Sequence, residues 1–90
     1  MQDKYLENKK NFQKLIGEII KQHRIKCGKS ISLISAEIGM TKSMWADLEK
    51  GIKDPQLSTI WRICEGLNIP ASGLMQEFEI ILGNNFTFLE

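Results

Sequence analysis

The sequence predicts an all-α fold, a compact arrangement of five helices, with a C-terminal extension that can be a β-strand or hairpin. Three observations carry this reading. Apolar residues recur at intervals of three and four along most of the chain, as one face of a helix requires. The short periodic segments in the middle are each preceded by Ser or Thr and followed by Gly, the residues that cap helices. The only two prolines, Pro55 and Pro70, fall near predicted helix boundaries.

The first apolar series is Phe12, Ile16, Ile19, Ile20, His23 and Cys27, with Asn11 as the expected N-cap and Gly28 as the stop. Residues 1–10 form a basic N-terminal extension, frayed or loosely helical. Ser30 caps a second helix with Ile34 and Ile38 inward, closed by Gly39. Thr41 caps a third, from Lys42 to Lys50, ended by Gly51. After the turn IKDPQ, a fourth helix is marked by Leu57, Ile60, Trp61, Cys64 and Leu67, and a short fifth by Leu74 and Phe78. The domain is drawn over residues 11–78.

The tail FEIILGNNFTFLE supports two readings. Phe78, Ile80, Leu82 and then Phe86, Phe88 alternate around Gly-Asn-Asn as in a hairpin, and the end of the chain is read as extended. Helical spacing of Leu74, Phe78, Ile81 and Leu82, with Gly83 as stop, fits nearly as well.

Composition narrows the function classes. Ninety residues, 42% hydrophobic and 26% charged, describe one ordinary globular domain. No apolar run approaches the roughly 20 residues of a membrane span, and the polar opening MQDKYLENKK has no signal-peptide pattern, so a cytoplasmic location without membrane contact is expected. Cys27 and Cys64 stand too far apart for a metal knuckle and are expected as reduced core thiols. The single histidine, His23, has no second ligand or nucleophile near it in sequence. No catalytic, cofactor or metal constellation appears, so neither an enzyme nor a metal site is expected.

Charge is unevenly spread. Residues 1–30 carry seven Lys and one Arg against three acids, a net +5, residues 31–53 are neutral, and residues 54–90 are net −4. A positive end of this kind can meet nucleic acid, or it can be a solvated basic tail.

Two short helices joined by a turn holding Gly39, inside an all-helical domain, form the helix-turn-helix pattern, here residues 30–51. Over residues 16 to 75 the chain resembles the XRE or lambda-repressor-like DNA-binding family. The matching stretches are IGEIIKQHR, GKSISLISAEIGMTKSMWADLEKG and DPQLSTIWRICEGLNI. The resemblance implies a sequence-specific, double-stranded DNA-binding regulator whose third helix enters the major groove. It also implies that Arg24 pairs with Glu49 as a structural ion pair, with Arg24 near a phosphate.

Helical residues advance by about 100° each. On that wheel Met44, Trp45 and Leu48 fall together as the core side, while Lys42, Ser43, Ala46, Asp47 and Lys50 share the opposite arc. With the cap Thr41, the residues Lys42, Ser43, Ala46 and Asp47 are the expected base-facing set. Lys42 can reach guanine acceptors or a phosphate, and Ala46 or the Thr41 methyl can touch a thymine methyl. Asp47 can accept from a cytosine amine, reject wrong sites, or make no contact. The expected phosphate contacts are Arg24, Ser30, Ser32, Lys50 and Lys53, with the basic first helix attracting DNA from farther away.

Some residues depart from the family pattern. Ile31 stands where a phosphate donor is usual, Ser35 where Ala is usual, and His23 where an aliphatic residue is usual. His23 is expected to be half-buried and hydrogen-bonded. Trp61 reads as core or as part of a subunit interface.

The expected activity is that of a repressor or autoregulator, a homodimer on half-sites about one helical turn apart, with residues 79–90 as the dimerisation segment. The alternatives are the antitoxin of a toxin–antitoxin pair, with a toxin partner, a restriction–modification controller, and a protein-interaction module without DNA binding.

Overall fold

In the computed structural model, which describes residues 2–89, the chain forms five helices: α1 (Gln2–Lys26), α2 (Ile31–Glu37), α3 (Lys42–Glu49), α4 (Leu57–Leu67) and α5 (Ala71–Leu82). Met1 and Glu90, the outermost residues of the predicted extension and tail, lie outside the described residues. Trp45 is fully buried at the centre of the domain, among Ile20 of α1, Ile34 of α2, Ile63 and Leu67 of α4 and Leu74 of α5. Burying each of these side chains contributes roughly 1.5–3 kcal/mol against the entropy of ordering the chain.

Backbone proximity sets the angle at which α3 meets α1. A Cβ on Gly17 would collide with the carbonyl oxygens of Leu48 and Glu49, the second at 2.7 Å. Gly51 turns the chain out of α3 at φ +75°, and a Cβ there would stand 2.6 Å from the Cα of Lys14. Two glycines, one on each helix, thus let the end of α3 rest directly on the backbone of α1.

The N-terminus differs from the expected start at Asn11. α1 runs without a break from Gln2, and Asn11 is an exposed residue inside it, not a cap. The reason lies at the other end of the chain. α5 extends past the predicted boundary at 78 and ends at Gly83, after which residues 84–89 turn back along α1. Phe86 stacks on Phe12 at 5.7 Å, and Phe88 meets Phe12 at 5.4 Å and Tyr5 at 5.6 Å. Asn8 Nδ2 donates to the Thr87 carbonyl at 2.9 Å. Such aromatic pairs contribute about 0.5–1.5 kcal/mol each beyond their buried area, enough to hold the first turns of α1 helical. The predicted hairpin does not form, and there is no strand among the described residues.

Three further core assignments change. Cys27 is exposed at the end of α1 with its thiol donating to the Leu67 carbonyl at 3.4 Å, whereas Cys64 is buried as expected. Met44 is 45% exposed, because it sits in the first turn of α3, ahead of the crossing with α1. On α4 the buried stripe is Ile60, Ile63, Cys64 and Leu67, while Leu57 and Trp61 are exposed. Spacings of three and four from Ile60 select Ile63, which the sequence reading passed over, and leave Trp61 about 100° to one side.

Candidate nucleic-acid interface

The site is built from two caps. The Ser30 hydroxyl accepts from the Leu33 N–H at 3.1 Å and starts α2, and the Thr41 hydroxyl accepts from the Met44 N–H at 3.1 Å and starts α3. A hydroxyl that accepts from the backbone keeps its own proton to donate outward. Inside α2, the buried Ser35 hydroxyl donates to the Ile31 carbonyl at 2.6 Å, so an unusual polar residue at the helix crossing is satisfied locally.

Arg24 fixes how the two helices stand against α1. Its Nε donates to Glu49 Oε2 at 2.5 Å and its Nη2 to Oε1 at 3.1 Å, a two-pronged pair, while Nη1 reaches the Lys29 carbonyl at 3.0 Å. The Trp45 indole N–H donates to the same Oε2 at 2.6 Å. Glu49 therefore satisfies both the buried indole and the guanidinium, and the hydrogen bond that Arg24 donates to Glu49 raises the Arg24 pKa above its ordinary value against the opposing effect of burial. His23 is half-buried, with Nε2 and Glu77 Oε2 2.7 Å apart, tying α1 to α5.

Seven residues from three elements line one open concavity: Arg24, Ser30, Ile31, Ser32, Lys42, Ser43 and Ala46. Six of these were singled out in the sequence, and Ile31 stands among them. Of the remaining candidates, Thr41 is the exposed N-cap of α3, and Lys50 is its exposed C-cap, where a cation also suits the helix dipole. Asp47 is half-buried and makes no side-chain hydrogen bond among the described residues. Lys53 lies apart from the concavity, lining a neighbouring depression with Met44, Leu48, Asp54, Pro55, Gln56 and Thr59. Met44, Asp54 and Gln56 are exposed residues of this region that the sequence reading did not assign to the site. The signal for Met44 was its place in the first turn, right after a cap.

Two short capped helices, joined through residues 38–41 and locked onto a long first helix, define a helix-turn-helix domain. The chain belongs to the HTH_3 helix-turn-helix family, whose profile matches residues 20–74. It is 32% identical over 62 residues to the HTH-type transcriptional regulator SutR of Escherichia coli (strain K12), a match covering 69% of this chain and 35% of that protein. Its fold is similar to the crystal structure of an HTH_3 family transcriptional regulator from Vibrio cholerae, with a TM-score of 0.70 and 26% identity over 77% of this chain and 39% of that one. The chain thus spans little more than a third of the length of either relative.

Proposed function

We propose that the chain binds double-stranded DNA sequence-specifically and acts as a transcriptional regulator, with α3 in the major groove. The observation that carries this reading is the concavity in which side chains of α1, α2 and α3 meet around Lys42, Ser43 and Ala46. Thr41, Lys42, Ser43, Ala46 and Asp47 face bases, and Arg24, Ser30, Ser32, Lys50 and Lys53 hold phosphates. Small residues at 43 and 46 let the helix approach base edges closely. The transcriptional regulators among its relatives support the same reading.

The protein acts as a dimer, because one eight-residue helix reads few base pairs and a twofold repeat doubles the contact. The dimer segment narrows to the exposed Ile80 and Ile81 of α5, since Phe86 and Phe88 are used against α1 of the same chain. A dimer seated on its half-sites excludes other proteins from the DNA it covers, the mode of a repressor or autoregulator.

Selection of bound duplexes from a random pool tests the proposal. The expected result is an enriched inverted repeat with half-sites one helical turn apart. Failure to retain any duplex at low salt would sink the proposal and favour a protein-interaction module.

A further inference from the structure

We propose that Lys10, Lys14 and Lys21 form a rail of phosphate-binding cations beside α3, extending the DNA contact beyond the helix-turn-helix. The proposal rests on the DNA-binding reading above. Positions 10, 14, 17, 21 and 24 follow one another at intervals of four and three, so they share a stripe of α1 about 80° wide. Three of them fix the direction in which that stripe faces. Gly17 lies against the last carbonyls of α3, and the Lys14 backbone lies against Gly51. Arg24 reaches Glu49 and lines the concavity with Lys42 and Ser43. The stripe therefore runs past the C-terminal end of the recognition helix.

The lysines of this stripe are exposed and, among the described residues, none forms an ion pair. Two other lysines of the first thirty residues are paired: Lys9 meets Asp54 at 3.4 Å and Lys29 meets Glu37 at 2.9 Å. Glu7 and Glu18 fall on the outer edge of the stripe, and Glu18 accepts from Gln22 at 3.0 Å. From Lys10 to Lys21 the rail covers roughly 16 Å of helix axis, while the phosphates of one strand advance about 3.4 Å each along the duplex. Several phosphates are then within reach of flexible ammonium groups. The rail also supplies what residues 31–53 lack, since that segment has no net charge.

The test is the dependence of duplex affinity on KCl concentration, measured with a mixed-sequence duplex. The double variant Lys14→Ala/Lys21→Ala should lower the slope of log Kd against log[KCl] by about 2, and Lys21→Ala alone by about 1. The double variant Lys4→Ala/Lys26→Ala removes the same charge from the other side of α1 and should leave the slope unchanged. Lys14→Arg/Lys21→Arg should retain the parent slope. Equal slopes for the two alanine doubles, with the parent chain still binding, would overturn the rail alone. A parent chain that binds no duplex at low salt would overturn the DNA-binding reading and the rail with it.

Discussion

Arg24 and Glu49, twenty-five residues apart in sequence, meet in a two-pronged ion pair that also receives the indole N–H of the buried Trp45. Glu49 is the shared acceptor, so its removal strands two donors at once. Glu49→Ala should cost about 3 kcal/mol of stability in urea denaturation, much of it from leaving the Arg24 charge partly buried and unpaired. A double-mutant cycle with Arg24→Ala should show strong coupling. A loss under about 0.5 kcal/mol, typical of exposed pairs, would mean that the pair contributes nothing to the fold.

Gly17→Ala separates propensity from packing. Alanine favours an α-helix by up to about 1 kcal/mol over glycine, so the isolated helix would gain. Here the new methyl meets two backbone carbonyls, which cannot swing aside as a side chain can. A net destabilisation of about 1–3 kcal/mol is expected, readable as a lower thermal midpoint. A stabilised variant would show that α3 can shift along α1 freely.

Lys42 and Lys53 should fail in different ways. Lys42 lines the concavity at the start of α3, whereas Lys53 lies outside it, beyond Gly51. Lys42→Ala is expected to change which duplexes are enriched in a selection. Lys53→Ala should weaken all duplexes alike and lower the salt slope by about 1.

The two thiols should behave oppositely. Cys27 is exposed and should react with a disulfide reagent in the native state, while Cys64 should react only on unfolding. Burial pushes the Cys64 thiol above its ordinary pKa. A raised pKa in the folded state contributes stability that is full below the unfolded value and is lost as pH rises through the folded one. Stability should therefore fall in alkaline solution, from about pH 8.5 upward, and Cys64→Ala should remove that component from the pH profile.

The aromatic clasp predicts a local effect. Phe88→Ala removes a ring that touches both Tyr5 and Phe12. Amide-exchange protection should drop over residues 2–12 and persist at Ile20, Ile34 and Ile63, whose burial does not depend on the tail. Loss of protection across the whole chain would show the clasp to be part of the main core.

Much of this molecule was legible in its sequence because caps and periodicity are local. Ser30 and Thr41 announce their helices through bonds that reach only three residues ahead, and Ile16, Ile19 and Ile20 declare a buried face by spacing alone. The charge of residues 37–51, net −1 and puzzling for a segment read as touching DNA, also resolves in part: Glu37 pairs with Lys29 and Glu49 is spent on Arg24 and Trp45, leaving Lys42 and Lys50 against Asp47. What tertiary structure alone decided lies where distant segments meet. Asn11 has good capping chemistry, yet the tail packs on Phe12 and holds α1 helical through it. Met44 and Trp61 are as apolar as their buried neighbours, so hydrophobicity alone does not separate them, and the packing of the helices leaves both exposed. The sequence shows a basic first helix, but which of its lysines run beside α3 became known only when Gly17 and Gly51 set α3 against α1. Local hydrogen bonding starts α2 and α3, whereas the reach of α1 and the side each helix presents are decided by whatever packs against them.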